Sequence, residues 1–248
     1  MTYPGGKEGA GTLQRIINAI PPHDVYIEPF AGGAAIYRHK LPAMRSYLLD
    51  LDAAALAAIP ADAEHTQKLC GDAITWLSLY FRTHSDDLEI GRKPIDSQAV
   101  RHDALRHFVF VDPPYPEETL ASGCRYAHDL SPEQHARLLD VLDDLPAAVA
   151  LTTYDTPQYS DRLKHWNKVT YQTSTRGGLR AETLYTNYRP ADRPHDLRFW
   201  GRDKREREKL SRRRRNMVNK LRRLPPVERL QLLGTIAAEF RDELQTLA

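Results

Sequence analysis

Hydrophobic positions recur at the spacing of a helix face in several parts of the chain. Leu13, Ile16, Ile17 and Ile20 predict one helix, which ends at the two prolines of residues 21–22. Residues 34–39 and 52–59 predict two more. The sequence Ser-Pro-Glu-Gln at residues 131–134 is typical of a capped helix start, and the leucines that follow it predict a further helix.

Short apolar runs lie between these helical segments and predict buried strands. They occur at residues 25–27, 46–49, 68–70, 108–111 and 147–151. A late hairpin is predicted from the alternating segments 169–173 and 182–188, which flank Arg-Gly-Gly at residues 176–178. Strands that alternate with helices predict an α/β protein with a mostly parallel sheet and helices on both faces.

Three carboxylates stand where predicted strands end. Glu28 follows the first strand, Asp50 the second, and Asp112 the strand at residues 108–111. In open parallel sheets, the ligand lies beyond the carboxyl ends of the strands. The shared placement of these acids therefore predicts a binding site at that edge of the sheet.

The composition restricts the class of protein. The 248 residues are enough for one sizeable core with an appendage. Apolar runs such as residues 53–59 are too short to cross a bilayer, and we see no secretion signal. The two cysteines, Cys70 and Cys124, have no partners at zinc spacing, and the ten histidines form no metal motif. We therefore expect a reduced, cytoplasmic protein with no membrane association and no bound metal.

The net charge of +2 hides a strong asymmetry. Residues 196–223 contain 13 Lys and Arg against 4 Asp and Glu, a net +9, so the rest of the chain carries −7 (2 − 9). A basic segment of this kind favours a polyanionic partner, although a solvated charged segment is the alternative. After the break at residues 224–226, apolar residues recur at helical spacing and predict a helix that packs on the body or on another copy.

The sequence Asp-Pro-Pro-Tyr at residues 112–115 has the most chemical content. The amine of a nucleic-acid base is a poor nucleophile, because its lone pair is delocalised into the ring. The Asp112 carboxylate and the Pro113 carbonyl can accept its two N–H groups and direct the lone pair at an electrophilic methyl group. The prolines preset this turn, and Tyr115 can stack on the base. The alternative is an ordinary turn after a buried strand.

Three motifs together resemble the signatures of the Dam-like adenine-specific DNA methyltransferases. They are Tyr-Pro-Gly-Gly-Lys at residues 3–7, Glu-Pro-Phe-Ala-Gly-Gly at 28–33 and Asp-Pro-Pro-Tyr at 112–115. Later segments are also similar to that family, so the resemblance covers about residues 1–190 in the family's order. The resemblance implies a Rossmann-like methyltransferase sheet, S-adenosylmethionine as cofactor, and N6 of adenine in DNA as the methyl acceptor.

The resemblance also implies roles for matching positions. Asp112, Pro113 and Tyr115 would be catalytic and would bind a base flipped out of its stack. Lys7 would lie near the cofactor's carboxylate or near the catalytic loop. The implied cofactor contacts are Tyr3, Lys7, Glu28, Phe30, Gly32, Asp50, Asp72 and Asp112.

Two of these cofactor contacts have a structural alternative. Asp50 would bind the ribose hydroxyls, as an acid after a second strand does, but Asp50 or Asp52 could instead cap the next helix. Asp72 would accept from the adenine amine of the cofactor or would cap a helix.

The sequence departs from the family pattern in two places. Ala34 stands where the family commonly has a second glycine. Only about residues 77–106 are available for target recognition, which suffices for a short helical insertion but hardly for a domain. We therefore expect a methyltransferase domain at residues 1–195 and a basic helical extension at 196–248. Nucleic-acid contacts are predicted at Arg92, Lys93, Arg125, Arg212, Arg213, Arg214 and Arg215.

Other functions remain open at this point. The same acidic turn suits the N4 amine of cytosine or an amine in RNA. A catalytically silent nucleic-acid-binding protein on the same scaffold is a third hypothesis, which the intact Asp112, Pro113 and Tyr115 oppose. A small-molecule methyltransferase would leave the basic segment unexplained. The sequence indicates neither a recognition site nor an oligomeric state.

Overall fold

The computed structural model describes residues 7, 11–83, 105–120, 128–175, 178–190, 195–201 and 203–245. The chain forms two compact units, Met1–Phe199 and Trp200–Ala248. The boundary predicted at residue 195 thus falls a few residues before the division in the structure. Among the described residues, no helix has the length and apolar character needed to cross a bilayer.

A seven-stranded sheet forms the frame of the first unit. In chain order its strands are β1 Val25–Glu28, β2 Arg45–Asp50, β3 Thr66–Cys70, β4 His107–Val111, β5 Ala148–Thr153, β6 Asn167–Thr175 and β7 Gly178–Thr186. In space the order is β3-β2-β1-β4-β5-β7-β6. β1 to β5 are parallel, and β7 is antiparallel to both of its neighbours. The predicted Rossmann-like α/β sheet is confirmed, including the late hairpin.

The direction in which the chain adds strands reverses between β1 and β4. From β1 the chain proceeds outward to β2 and β3, and then returns to pair β4 with the other side of β1. Such a reversal opens a crevice at the carboxyl ends of the strands, where ligands bind in α/β sheets. β7 runs in the opposite direction, so its beginning lies beside the carboxyl end of β5, with Thr183 paired to Thr153.

Six helices accompany this sheet in the described part of the first unit. Their bounds are α1 Thr12–Ala19, α2 Ala35–His39, α3 Ala53–Ala58, α4 Ala73–Thr83, α5 Pro132–Asp144 and α6 Pro157–Arg162. The predicted capping box at α5 is present: the Ser131 side chain accepts from the Gln134 N–H, and the Gln134 side chain accepts from the Ser131 N–H at 2.8 Å. Short 3₁₀ turns lie at Glu117–Thr119 and Leu197–Phe199.

Side chains of the strands alternate between two buried cores, one on each face of the sheet. Val25, Ile27 and Val109 belong to the core that includes α4, α5 and α6. Tyr26 and Phe108 belong to the core that includes α1, α2 and α3. Burial of each such side chain contributes roughly 1.5–3 kcal/mol, so continuous apolar strands are stabilised on both faces.

The insertion predicted at about residues 77–106 overlaps the second half of α4 in the structure. Leu77, Tyr80 and Phe81 are buried residues of α4 and pack in the core beside β4. These side chains therefore contribute to the core, and a role of the segment in target recognition remains a prediction. The rest of the predicted insertion, including Arg92 and Lys93, lies outside the described residues.

The second unit is helical, as predicted for the basic extension. It contains α7 Lys204–Arg223, α8 Pro226–Glu239 and α9 Arg241–Gln245. Asp203 caps α7 by accepting from the Glu206 N–H at 2.8 Å. α7 contains eleven Lys and Arg against two Glu, and Pro225 and Pro226 end it because a proline residue disfavours helical geometry in the residue before it.

Candidate active site at the carboxyl edge of the sheet

The three predicted strand-end acids lie where the sequence placed them. Glu28 is the last residue of β1, Asp50 the last of β2, and Asp112 follows β4 directly. β1 pairs with both β2 and β4, so the ends of these three strands are neighbours at the crevice. The structure thus brings two of the motifs, residues 28–33 and 112–115, to one edge.

Lys7 lies at the centre of a cluster of buried polar groups. Its Nζ is 2.8 Å from Asp112 Oδ1 and 2.8 Å from Glu182 Oε1, and it donates to the Tyr115 hydroxyl at 2.6 Å. The Tyr115 hydroxyl also contacts the Glu182 carboxylate. The cluster therefore joins a residue near the N-terminus, the acidic turn after β4 and a residue of β7.

Asp112 is the most accessible of the three charged groups in this cluster. Its side chain is 19% exposed, against 7% for Lys7 and 3% for Glu182. Asp112 Oδ1 accepts from the Thr152 hydroxyl at 2.8 Å as well as from Lys7, and the Tyr115 hydroxyl, whose single proton is directed at Glu182, lies 3.3 Å away. These hydrogen bonds fix the Asp112 side chain. Its carboxylate is the part of the cluster that a substrate can reach.

Burial and mutual charge govern protonation in the cluster. Burial raises the pKa of the Asp112 carboxyl above its ordinary value; the Lys7 ammonium opposes this rise and the Glu182 charge adds to it. Burial disfavours the Lys7 ammonium, yet the two carboxylates raise its pKa above the ordinary value. Burial also raises the pKa of Tyr115, so its hydroxyl stays protonated at neutral pH. The site therefore combines a fixed cation with a carboxylate of increased basicity.

Aromatic residues surround the acidic turn. The Tyr115 ring meets the Tyr154 ring edge to face, with centroids 4.6 Å apart, and it is only 6% exposed. The Arg180 guanidinium lies over Tyr154 at 5.6 Å and donates to the Thr119 carbonyl at 2.6 Å. These contacts fix the segment after the acidic turn against the β6–β7 hairpin. The Tyr115 hydroxyl is bonded within the cluster. Stacking of the Tyr115 ring on a base remains a prediction.

The turn after β1 has features suited to a nucleotide-like cofactor. Gly32 has a left-handed φ of 47°, and its N–H donates to Asp50 Oδ2 at 2.7 Å. Asp50 Oδ1 accepts from the Asp52 N–H at 2.9 Å. Each carboxylate oxygen keeps a second lone pair, so Asp50 can still accept from a pair of ribose hydroxyls. Half-buried Phe30 packs beside this turn.

The alternative that Asp50 caps the next helix is excluded. Asp52 is the N-cap of α3, and its side chain accepts from the N–H groups of Ala54 and Ala55. Asp50 is oriented toward the glycine turn instead. This arrangement is compatible with the predicted ribose contact, because the carboxylate lies between the ends of β1 and β2.

Ala34, the predicted departure from the family pattern, has φ 47° and ψ 47°. This left-handed conformation costs a non-glycine residue roughly 1–2 kcal/mol, which explains why a glycine would be favoured there. Ala34 is nevertheless accommodated as the N-cap of α2, and its methyl group is buried in the core with Ile36. The turn therefore keeps its shape without the second glycine.

Glu28 is more deeply buried than a direct cofactor contact requires. Its Oε2 accepts from the Tyr26 hydroxyl at 2.8 Å, and the carboxyl also accepts from the Tyr37 N–H in the first turn of α2. Burial raises the pKa of Glu28 to about 8, so the side chain is mostly a neutral acid at pH 7. These contacts support the start of α2, and the implied cofactor contact of Glu28 remains a prediction.

Asp72 serves as a helix cap in the structure. Its Oδ1 accepts from the Ile74 N–H at 3.0 Å, and its Oδ2 accepts from the Thr75 hydroxyl and lies 3.8 Å from Arg137. Of the two alternatives for this residue, the geometry favours the cap of α4. The implied contact with the cofactor's adenine remains a prediction.

Tyr3, Arg92, Lys93 and Arg125 lie outside the described residues. Arg212, Arg213, Arg214 and Arg215 are exposed on α7 of the second unit. Their contact with nucleic acid therefore remains a prediction, which the exposure of four consecutive guanidinium groups makes physically reasonable.

Sequence reasoning missed Glu182, Thr152 and Arg180. Glu182 begins a predicted strand, whereas Thr152 and Arg180 lie just outside the predicted strands and are included in β5 and β7 by the structure. The signal that could have identified Glu182 is an acid at the start of the last strand of a hairpin. Because β7 is antiparallel, its first residues lie at the same edge as Asp112.

Comparisons with known proteins give no family for this chain. It matches no family model and no curated protein. Among solved structures it is similar to a proposed methyltransferase, yhhF, from Escherichia coli, with 15% identity and a TM-score of 0.38 over 76% of this chain and 91% of that one. It is also similar to an rRNA methylase from Streptococcus thermophilus, with 11% identity and a TM-score of 0.37 over 71% and 94%.

A third similar structure is a proposed RNA methyltransferase from Pyrococcus horikoshii. It has 11% identity and a TM-score of 0.41 over 74% of this chain and 91% of that one. Likenesses at this level carry no argument about reaction or substrate. The function must be inferred from the residues at the carboxyl edge of the sheet.

Proposed function

We propose that this protein transfers a methyl group from S-adenosylmethionine to the exocyclic amine of a nucleic-acid base, with N6 of adenine in DNA as the acceptor. The observation that carries the proposal is the buried cluster of Lys7, Asp112, Tyr115 and Glu182 beside the strand reversal. A turn after a buried strand does not need a carboxylate with raised pKa that accepts from Lys7 and Thr152 and is still 19% exposed.

The residues of the chain act on the acceptor amine by orienting it. Asp112 Oδ1 already accepts from Lys7 and Thr152, so we expect Oδ2 to accept one N–H of the amine. The Pro113 carbonyl is the expected acceptor of the second N–H. Two acceptors at fixed positions favour a tetrahedral nitrogen whose lone pair is directed outward. Such positioning can supply up to about 7–11 kcal/mol of the barrier in well-oriented systems.

The glycine turn and Asp50 are the expected cofactor site. Residues 30–34 follow β1, which lies between β2, whose end carries the Asp50 carboxylate, and β4, whose end leads to Asp112. When bound, S-adenosylmethionine supplies the electrophilic methyl group and leaves as a neutral thioether. The Asp112 carboxylate lies at this edge, where a negative charge would favour a cationic donor nearby.

The choice of a nucleic-acid substrate is supported by the second unit. α7 has eleven basic and two acidic residues over 20 residues, about 30 Å of helix. A helix of this charge can neutralise several phosphates and bind in a salt-dependent manner without reading sequence. DNA over RNA, and adenine over cytosine, rest on the family resemblance of the motifs.

The decisive experiment is methylation of matched substrates with labelled S-adenosylmethionine. A DNA duplex and an RNA duplex of the same base sequence are incubated with the protein and digested to nucleosides. We expect N6-methyladenine from DNA and no product from the Asp112→Asn variant. Label on cytosine or only in RNA would move the assignment to the corresponding alternative. No label on either polymer would reject the proposed function.

A further inference from the structure

Glu182 is buried in the candidate site, yet neither the motifs nor the proposed orientation of the amine gives it a role. It stands on β7 opposite Tyr171 of β6, and its carboxylate reaches the Lys7 ammonium and the Tyr115 hydroxyl. Its side chain is 3% exposed, so it is unsuited to direct contact with a substrate. Burial of a carboxylate costs free energy unless the charge is paired. We therefore expect Glu182 to act through its partners, Lys7 and Tyr115.

Lys7 is shared between two carboxylates at equal distance. The separation from Nζ is 2.8 Å to Asp112 Oδ1 and 2.8 Å to Glu182 Oε1. If Lys7 were paired with Asp112 alone, the ammonium would stabilise the Asp112 anion fully and make it a weak base. Glu182 offsets part of that attraction and repels the Asp112 charge.

Methyl transfer to an amine requires a proton acceptor. When the nitrogen lone pair forms the bond to the methyl carbon and the electron pair of the broken carbon–sulfur bond stays on sulfur, the nitrogen becomes positively charged. Neutrality returns when one N–H bond breaks, its electron pair stays on nitrogen, and the proton passes to a base. Asp112 is the carboxylate of the cluster with the greatest exposure, and it is the group expected to hold that N–H.

We propose that Glu182 is a positioning residue that, by sharing Lys7 with Asp112, keeps the Asp112 carboxylate basic enough to accept the proton released from the methylated amine. This inference rests on the proposed function. The raised pKa of Asp112, to which burial contributes most and Glu182 adds, is in the required direction. The same contacts hold the Tyr115 hydroxyl, so Glu182 also fixes the end of the acidic turn.

Other ionisable groups near Asp112 must be considered in any pH experiment. They come from β1, β6, β7, the turn after β4 and the N-terminal segment: Tyr26, Glu28, Tyr171, Glu182, Tyr115 and Lys7. Burial raises the pKa of each of the three tyrosines, and that of Glu28 to about 8. These four groups therefore stay protonated through the acidic range, where Asp112 must lose its proton to act as a base.

Two variants that remove charges of opposite sign test the proposal. Glu182→Gln removes a negative neighbour and should lower the pKa of Asp112, moving the acidic limb of the kcat profile to lower pH by about one unit. Lys7→Met removes a positive neighbour and should move the same limb to higher pH. Because Asp112 becomes a weaker base in Glu182→Gln, kcat above the limb should fall by up to about tenfold, with little change in KM. Glu182→Asp keeps the charge and should keep the wild-type limb.

The exposed acid Asp161 of α6 gives the matched control Asp161→Asn, which should leave the profile unchanged. If Glu182 had only a structural role, its substitution would reduce activity, but the acidic limbs of Glu182→Gln and Lys7→Met would not shift in opposite directions. Limbs that stay in place, or that move in the same direction, would overturn the inference. If Glu182→Gln does not fold, Glu182→Met removes the same charge with a side chain of similar size and should move the limb in the same direction.

A second readout needs neither cofactor nor turnover. Protein with ¹³C-labelled aspartate carboxyls is titrated by NMR, and the Asp112 signal is assigned by its loss in Asp112→Asn. We expect a lower midpoint in Glu182→Gln and a higher one in Lys7→Met. Unchanged midpoints in an enzyme that methylates DNA would reject this inference alone. Absence of methylation by the wild type would instead reject the proposed function.

Discussion

Glu28 allows a quantitative test of how the buried acids of the sheet respond to pH. Its carboxyl is 3% exposed, and burial raises its pKa from 4.5 to about 8. The folded protein therefore binds a proton at this position more tightly than the unfolded chain does. The resulting stabilisation is complete below pH 4.5, decreases as the pH rises, and is lost once the pH passes about 8.

The expected size follows from the linkage between proton binding and folding. Between the two pKa values, each pH unit changes the free energy of unfolding by about 1.4 kcal/mol. From about pH 5.5 to about pH 7, Glu28 should therefore destabilise the folded state by about 2 kcal/mol. Glu28→Gln keeps an acceptor for the Tyr26 hydroxyl but cannot ionise, so this part of the pH dependence should vanish.

The assay is urea denaturation of both proteins at the two pH values, with tryptophan fluorescence as the signal. Buried His23 and half-buried His195 have lowered pKa values and contribute a change of opposite sign, with burial as the main cause. Both histidines are present in the variant, so their effect cancels when the pH-induced change in the variant is subtracted from that in the wild type.

Glu64→Gln, a substitution of the same type at an exposed position, serves as the control and should behave like the wild type. The reasoning would be refuted if Glu28→Gln and wild-type protein lost the same stability between the two pH values. It would also be refuted by a greater loss in the variant, which would mean that the ionised carboxylate stabilises the fold.

Three further predictions concern activity, binding and local stability. Asp112→Asn should lower kcat for amine methylation by at least about 100-fold while cofactor affinity, measured by calorimetry, changes little; a matching loss of cofactor affinity would contradict the catalytic role. Removal of residues 200–248 should weaken DNA binding and reduce its salt dependence, as measured by fluorescence anisotropy. Residues up to 199 are kept because Asp196 is buried and bonded to Arg198. An unchanged salt slope would mean that α7 does not bind phosphates. Ser131→Ala should cost about 1 kcal/mol in urea denaturation through loss of the capping box, and no measurable loss would argue against that cap.

The sequence determined the local elements and the edge at which the site lies. Apolar runs at residues 25–27 and 108–111 could be recognised as strands because both faces of these strands are buried. The acids that end them, Glu28 and Asp112, then had to lie at the carboxyl edge of a parallel sheet. The capping box at Ser131 was also predictable, because a cap depends on residues three positions apart.

Only the tertiary structure decided which distant residues complete the site. Lys7 and Glu182 are far from Asp112 in the chain, and the antiparallel direction of β7 brings Glu182 to the same edge. Tertiary packing likewise gave two aspartates after strands different roles, since Asp50 accepts from the glycine turn whereas Asp72 caps a helix. It also placed Tyr80 in the core. Sequence spacing describes neighbours within one element, but contacts between elements depend on sheet order and strand direction. Those two properties are set by packing of the whole chain.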